Sequence, residues 1–308
     1  MNNIIETVNI TKRYGDLAAV NSVSLNVRKG EIYGFLGLNG AGKTTTIRML
    51  LGMVTPTSGT VHVNGMQIKR GGRGPWDNVG CLVEVPYAYP DLTVKENLEI
   101  FRRLRGLSSP GSVDAIIEKM KLKEYIGRKA GHLSLGNSQR LGLAKAMIHD
   151  PEILILDEPS NGLDPVGIVE IRELLISLAK NNSVTIFISS HILSEISKIA
   201  NRIGIIHNGK LLQELNSNEL DSLIKKRLVI QTRNNDAAKK LLVKNGYNPV
   251  FTDNGEIELT DEKAIKKSED VAVLLVQASN PPVSICLKEE DLEAYFLRII
   301  KRAKVPDE

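Results

Sequence analysis

The sequence predicts an α/β fold with a parallel sheet at its core, followed by a smaller α+β domain. Predicted strands alternate with predicted helices between residues 152 and 206, a pattern typical of a parallel sheet with covering helices. An earlier predicted strand, residues 31–36, runs into a glycine-rich turn and then into a helix over residues 43–51. After residue 221 the predicted order becomes β-α-β-β-α-β, which indicates a separate domain.

Length, composition and charge restrict the class of protein. The 308 residues exceed the size that one hydrophobic core usually serves, and 42% hydrophobic with 25% charged residues is ordinary for a soluble globular protein. The formal net charge of +4 is mild and the basic clusters are short, so no nucleic-acid partner is expected. Cys81 and Cys286 lie in different predicted domains without metal-ligand spacing, which predicts no disulfide framework and no zinc site and fits a reducing cytosol.

The chain is expected neither to span a membrane nor to be secreted. No apolar run approaches the roughly 18 residues that a membrane helix needs. The first six residues lack the basic and apolar regions of a signal peptide. A transport function would therefore need another polypeptide to supply the path.

The first predicted domain covers residues 1–220 and contains a helical subdomain at about residues 77–146. Within that subdomain, Thr93 and Glu96 form a capping-box pattern, after which apolar residues recur at helical spacing. The dipeptide Asn208-Gly209 between two apolar runs is a strong hairpin signal and marks the end of the domain. Later predicted elements of this domain are strands over residues 153–156, 184–189 and 203–206 and a helix over residues 193–200.

The second predicted domain covers residues 225–308 and carries no phosphate loop, metal cluster or paired acids. Its expected role is regulatory or dimer-supporting, and the order of its first six elements matches ferredoxin-like folds. Its predicted strands are residues 228–232, 250–252, 256–259 and 283–287, and its predicted helices are residues 236–244, 262–277 and 290–301.

Residues 37–44, Gly-Leu-Asn-Gly-Ala-Gly-Lys-Thr, match the phosphate-binding pattern G-x-x-x-x-G-K-[ST] between a predicted strand and a predicted helix. Glycines let backbone N–H groups turn onto phosphate oxygens, and the helix N-terminus adds its positive dipole end. Lys43 is expected to reach the β- and γ-phosphates, and the Thr44 hydroxyl to ligate Mg²⁺. The alternative is a flexible glycine-rich turn. The predicted nucleotide contacts in this segment are Asn39, Gly40, Ala41, Gly42, Lys43, Thr44 and Thr45.

Two carboxylates, Asp157 and Glu158, follow the short apolar strand predicted over residues 153–156. Ligands of parallel sheets bind at the carboxyl ends of the strands, so both acids are expected to face the phosphate loop. Asp157 is placed to hold Mg²⁺, and Glu158 to accept a proton from the attacking water. A strand ending in Asp-Glu is a weak signal alone and gains weight from the phosphate loop.

The segment Leu-Ser-Leu-Gly-Asn-Ser-Gln-Arg at residues 133–140 resembles the signature sequence of the ABC ATPase family. The usual form is Leu-Ser-Gly-Gly-Gln, and this chain departs from it at Leu135 and Asn137, as members of the drug- and antibiotic-export branch do. Independently of the family, Ser134 and Gly136 at the start of a predicted helix make an anion site. The resemblance implies that Ser134, Gly136 and Asn137 contact ATP.

The resemblance covers most of residues 1–220 and implies further site residues. Tyr14 matches the aromatic residue that stacks on adenine, although an exposed tyrosine at a strand end is the alternative. Residues 160–164 resemble the loop that joins two subunits across their interface. His191 matches the switch histidine that contacts γ-phosphate. Glu84 stands where the family usually has glutamine, and it is predicted to act at the nucleotide site in its ionised form, as a contact of Mg²⁺ or water. The alternative is that Glu84 turns away to solvent in the resting state.

The function implied is that of the ATP-binding and ATP-hydrolysing subunit of an exporter, with ATP and Mg²⁺ as cofactors. The expected partners are a second ATPase subunit, arranged head to tail, and a separate transmembrane permease. These place the chain in the cytoplasm, peripheral on the inner face of the membrane. At Glu84 and residues 189–195 the sequence resembles ATPase subunits of exporters of the bacitracin or lantibiotic immunity type. The alternative is a soluble ABC ATPase acting on the ribosome or nucleic acid, although the single phosphate loop and the lack of a heptad insert disfavour it.

Overall fold

The computed structural model describes residues 3–84 and 86–302 and divides into two compact units, Met1–Asn218 and Glu219–Glu308. Within the described residues, no helix is both long and apolar enough to cross a membrane.

The first unit contains ten strands and six α-helices among its described residues. The strands are β1 (Asn3–Tyr14), β2 (Leu17–Arg28), β3 (Ile32–Leu36), β4 (Ser58–Val63), β5 (Met66–Gln67), β6 (Val79–Leu82), β7 (Ile153–Asp157), β8 (Thr185–Ser190), β9 (Arg202–His207) and β10 (Lys210–Asn216). The helices are α1 (Lys43–Leu50), α2 (Val94–Leu104), α3 (Gly111–Lys119), α4 (Leu135–Met147), α5 (Pro165–Asn182) and α6 (Leu193–Ile196).

A six-stranded sheet in the order β10-β9-β3-β8-β7-β6 forms the centre of this unit. Its strands are parallel to their neighbours except for β10, which pairs antiparallel with β9. Every residue of β3, β7 and β8 is buried, as expected for parallel strands covered on both faces. Because β3, β8, β7 and β6 run the same way, the segments that follow them meet at one edge of the sheet.

An antiparallel sheet in the order β2-β1-β4-β5 packs with α1 and the central sheet around a shared hydrophobic core. Ile5, Val23, Phe35, Ile47 and Ile155 contribute to this core and are almost completely buried. The core therefore anchors both β3 and α1, the two elements that the phosphate loop connects. The predicted α/β fold with a parallel sheet at its core is confirmed, and this antiparallel sheet accompanies it.

The expectation of helices throughout residues 77–146 is wrong at its start. Val79–Leu82 forms β6, which pairs in parallel with β7 and belongs to the central sheet. Four residues are too few to show a period, so this apolar run could not be distinguished from a helical segment. The helical region begins at α2, where the predicted capping box is confirmed: Thr93 Oγ1 accepts from Glu96 N, and Glu96 Oε2 accepts from Thr93 N.

The helix predicted over residues 193–200 is also shorter in the structure. α6 ends at Ile196, and the backbone then turns with bonds from Lys198 N to Glu195 O and from Ile199 N to Ile196 O. These i to i+3 bonds interrupt the α-helical pattern, of which one further bond remains, from Ala200 N to Ile196 O at 2.9 Å.

The second unit contains a four-stranded antiparallel sheet in the order β12-β13-β11-β14. Its core includes Leu228, Ile257, Ala264 and Leu275. The strands are β11 (Lys226–Thr232), β12 (Val250–Phe251), β13 (Ile257–Leu259) and β14 (Pro282–Glu289), and the helices are α7 (Leu220–Leu223), α8 (Asn235–Lys244), α9 (Glu262–Lys266), α10 (Ser268–Gln277) and α11 (Leu292–Arg302).

The single helix predicted over residues 262–277 is divided into α9 and α10 at Lys267, whose φ of −135° and ψ of 63° are not helical. Lysines in the last turn of α9 and acids in the first turn of α10 match the dipoles of two separate helices. A pattern search based on apolar spacing does not detect that charge signal.

Candidate functional site

The phosphate-binding loop connects β3 to α1 in a conformation that depends on glycine. Gly40 has φ of 78° and Gly42 has φ of 108°, in the left-handed region that disfavours other residues. A Cβ at Gly37 would lie 2.6 Å from Ile206 O, and one at Gly42 would lie 2.5 Å from Ala19 O. The loop therefore fits tightly against β9 and β2, and it leads into the N-terminus of α1.

Lys43 is the first residue of α1, and its side chain is only 6% exposed. Its Nζ donates to Gly37 O at 2.6 Å and to Leu38 O at 3.3 Å, and it lies 3.2 Å from Glu158 Oε1. The ammonium group thus lies within the curve of the loop and faces the Glu158 carboxylate. This arrangement concentrates positive charge where phosphate oxygens would lie.

Asp157 ends β7 and is held by two hydroxyl groups. Thr44 Oγ1 donates to Asp157 Oδ2 at 2.7 Å, and Ser189 Oγ donates to Asp157 Oδ1 at 2.5 Å. Carboxylate and hydroxyl oxygens are the hard donors that Mg²⁺ prefers. Among the described residues there is no group of three or more His, Cys, Asp or Glu that could hold a metal. The donors fit an ion that takes few protein ligands and completes its shell with water and phosphate oxygens.

Glu158 follows β7 and adopts φ of 48°. Its backbone N–H donates to Ser189 Oγ at 3.1 Å, so the serine on β8 orients both acids. His191 Nδ1 lies 2.8 Å from Glu158 Oε2, while the other carboxylate oxygen faces Lys43. This carboxylate, with His191 beside one oxygen and the Lys43 ammonium facing the other, lies next to the phosphate loop, in the position required of a general base for water.

Two cavities adjoin the loop. A groove of about 390 Å³ is bordered by Tyr14, Leu17 and Ala19 together with loop residues and Glu158. Tyr14 lies at the end of β1, half exposed, with Lys12 Nζ 5.1 Å from its ring centre. It is therefore an exposed strand-end tyrosine, and it also borders the phosphate-loop groove. The loop residues that border this groove are Leu38, Asn39, Gly40, Gly42, Lys43, Thr44 and Thr45.

The second cavity has a volume of about 230 Å³, and Thr44 and Glu158 line both cavities. Its lining residues are Thr44, Glu84, Pro86, Leu135, Gln139, Asp157, Glu158 and Asn161. Glu84 follows β6 and has φ of 58°, and its Oε1 accepts from Arg48 Nη2 at 2.5 Å. The structure thus brings Glu84 to the edge that holds Asp157, but its carboxylate is bonded to an arginine.

The signature-like segment begins α4, where Ser134 Oγ accepts from Asn137 N at 3.3 Å. Leu135 lies against Gly162 in the loop between β7 and α5. A Cβ added to Gly162 would lie 2.2 Å from Leu135 Cδ2. Ser134, Gly136 and Asn137 are not among the residues that line either cavity of their own chain.

Residues 160–164 connect β7 to α5. Asp164 caps α5 by accepting from Gly167 N at 2.9 Å, and Pro165 is the first helical residue. Ser160 Oγ donates to Glu195 Oε2 at 2.9 Å, which ties this loop to α6 near His191.

Sequence reasoning missed Ser189, Arg48 and Gln139. Gln139 is buried, and its Nε2 lies 3.4 Å from Glu158 O. Ser189 could have been found by the argument used for Asp157, since it is a polar residue at the end of an apolar strand. Arg48 carried no such signal, because its partner lies 36 residues away in the sequence.

Comparison with known proteins supports the interpretation of these residues as a nucleotide-binding site. Residues 20–161 match the family model described as ABC transporter. The bacitracin transport ATP-binding protein BcrA of Bacillus licheniformis is 41% identical over 306 residues, covering 97% of this chain and 98% of the relative. The lantibiotic transport ATP-binding protein SrtF of Streptococcus pyogenes is 36% identical over 233 residues, covering 75% of this chain and all of the relative.

A solved structure described as the dimeric structure of MJ0796, a bacterial ABC transporter cassette, superposes with a TM-score of 0.63 at 25% identity. It covers 69% of this chain and 98% of that cassette. The geometry of the phosphate loop and of Asp157 and Glu158 agrees with the match to BcrA, which extends along almost the whole chain. This chain therefore belongs to the family of ABC transporter ATP-binding proteins, and it is an ATPase.

Proposed function

We propose that this chain powers an exporter that removes a peptide antibiotic of the bacitracin or lantibiotic class. The observation that carries this proposal is the match to the bacitracin transport protein, which extends through both units and not only through the ATPase unit. The match to the lantibiotic transport protein supports the same substrate class.

ATP binding in this proposal uses the groove beside the phosphate loop. The Tyr14 ring stacks on the base, as its place on the rim of the groove suggests. Backbone N–H groups of residues 39–45 and the Lys43 ammonium bind the phosphates. Thr44 and Asp157 hold Mg²⁺, which supplies positive charge to the phosphates as they react. Glu84 is a further candidate contact because it lines the adjoining cavity.

Hydrolysis in this proposal depends on Glu158 as the general base. Its carboxylate accepts a proton from the water that attacks the γ-phosphate, while the bond from the γ-phosphorus to the bridging oxygen breaks and ADP leaves. Lys43 stabilises the negative charge that develops on the phosphate. His191 donates to Glu158 or to the γ-phosphate, and its distance of 2.8 Å from Glu158 supports a positioning role.

The site in this proposal is completed by a second ATPase subunit. Ser134, Gly136 and Asn137 begin α4 and lie outside the cavities of their own chain, so they are free to contact the γ-phosphate bound by the partner. The dimeric cassette of similar fold supports a dimer. Loss of the γ-phosphate weakens this contact and opens the dimer.

The transport path in this proposal belongs to a separate permease in the membrane, with this chain peripheral on its cytoplasmic face. The permease docks on the helical region of α2 and α3, and opening and closing of the ATPase dimer drives it.

Expression of the chain with its permease in a sensitive bacterium tests the proposal. The wild-type pair is expected to raise the inhibitory concentration of bacitracin or of a lantibiotic several-fold. The same pair with Glu158→Gln should leave the cells sensitive. Equal resistance with both ATPase variants, or no resistance to either class of peptide, would reject a peptide-antibiotic exporter.

A further inference from the structure

Glu84 lies at the edge of the site but is bonded away from it. Its side chain borders the cavity that Thr44 and Asp157 also line, yet its Oε1 accepts from Arg48 Nη2 at 2.5 Å. A carboxylate here is repelled by Asp157 and Glu158. The guanidinium group therefore offers Glu84 a favourable partner at a place where its own charge is otherwise costly.

Arg48 is close to the site because of helix geometry. It follows Thr44 by four residues on α1, so the two side chains emerge from the same face one turn apart, with roughly 5–6 Å between their Cβ atoms. Thr44 donates to Asp157, the acid placed to hold Mg²⁺. Glu84 thus has two alternative cationic partners: Arg48, to which it is bonded, and an ion at Thr44 and Asp157, which line the same cavity.

The strength of the pair allows exchange between these partners. The two side chains are 38% and 54% exposed. Ion pairs exposed to this degree shift an equilibrium by only about 1.5- to 5-fold. Such a pair is weak enough to open when a divalent cation binds. It is also strong enough to raise the cation concentration at which Glu84 leaves Arg48 for the cation.

We propose that Arg48 is a positioning residue that competes with Mg²⁺ for Glu84. Glu84 pairs with Arg48 until Mg²⁺ and ATP bind, and it then turns from Arg48 towards the oxygens of Thr44 and Asp157. This inference rests on the proposed Mg–ATP site and adds a contact partner that sets its metal requirement.

The test is equilibrium binding of a fluorescent, non-hydrolysable ATP analogue to the full chain, titrated with Mg²⁺. Arg48→Met keeps side-chain length and helix propensity but removes the competing charge. The Mg²⁺ concentration for half-maximal enhancement of binding is expected to fall about two- to fivefold in this variant. Binding of the analogue without Mg²⁺ is expected to be unchanged.

The Glu84→Gln background separates the ion pair from a general effect of charge. In that background, Arg48→Met is expected to leave the Mg²⁺ titration unchanged, and Arg48→Lys in the wild-type background should resemble wild type. An equal fall with and without Glu84 would show that Arg48 acts through its charge alone and would overturn the inference, as would no fall in Arg48→Met.

A second readout does not depend on nucleotide. Without Mg²⁺ and ATP, the urea midpoints of Arg48→Met, Glu84→Gln and the double variant are expected to be non-additive, because each single change breaks the same pair. Additive midpoints would argue that the pair does not form in solution and would overturn the inference. If wild type binds the analogue with no response to Mg²⁺, the proposed metal site itself fails.

Discussion

Glu158 is held by Lys43 on one carboxylate oxygen and by His191 on the other. Glu158→Gln keeps the shape of the side chain but removes its basicity. The turnover number for ATP is expected to fall at least about 100-fold, since general bases contribute that much or more. ATP binding should persist, and an ATP-dependent dimer should accumulate on gel filtration. ATP hydrolysis near the wild-type rate would show that Glu158 is not the base.

Lys145 on α4 is only 7% exposed, and in the part of the chain that the structure describes it has no acidic partner within ion-pairing distance. Its Nζ lies 4.8 Å from the centre of the Phe101 ring. Burial away from water lowers the pKa of Lys145 from its ordinary value of 10.5 to about 8. The charged form is therefore a cost to folding.

The sign of the pH dependence follows from this shift. Below pH 8 Lys145 is protonated in both the folded and the unfolded chain, so the full cost of burying its charge is present. Between pH 8 and 10.5 the folded chain loses this proton first, which relieves the cost. Lys145→Met is expected to raise the free energy of unfolding by about 2 kcal/mol at pH 7.

The advantage of Lys145→Met over wild type should shrink as the pH approaches 10. Urea unfolding at both pH values measures it, with Lys198→Met as a control at an exposed position, where little change at pH 7 is expected. A destabilised Lys145→Met protein at both pH values would contradict the burial argument.

At the scale of elements, α4 approaches β6 closely because both lack side-chain bulk where they meet. A Cβ at Gly80 on β6 would lie 2.1 Å from Ala146 O, and one at Gly142 would lie 2.8 Å from Leu82 Cδ1. This contact sets the position of α4, whose N-cap residue is Ser134. The position of the signature-like segment therefore depends on the packing of α4 against β6.

Gly80→Ala is expected to lower the free energy of unfolding by roughly 1–3 kcal/mol, because the added methyl group meets backbone that must move. Gly127→Ala is the matched control, since no atom lies within 4 Å of its added Cβ. Urea unfolding of both variants measures the difference. Equal stability of the two variants would mean that α4 can shift from β6 without cost.

At the scale of the whole molecule, every residue proposed to contact ATP lies in the unit Met1–Asn218, and Glu219–Glu308 has its own hydrophobic core. A chain ending at Asn218 is therefore expected to fold and to bind Mg–ATP with a dissociation constant within about threefold of the full chain. Equilibrium binding of a fluorescent ATP analogue measures this. A shortened chain that retains its circular dichroism spectrum but does not bind would show that the second unit completes the site.

The local motifs were predictable from sequence because each lies in one short segment whose residue types dictate its geometry. The glycines of residues 37–42 allow the loop, the apolar run before Asp157 predicts a strand, and Thr93 with Glu96 predicts a capped helix. The relatives confirm that these motifs belong to an ABC ATPase.

Only the tertiary structure decided which distant residues meet. Ser189 bonds to Asp157 because β8 lies beside β7, and Glu84 bonds to Arg48 because β6 joins the same sheet and α1 turns towards it. Strand order is set by packing summed over the whole core, and no short segment contains that information. The residues of the phosphate loop are thus predictable from local sequence, whereas the partners that orient the acids around it depend on the order of the strands.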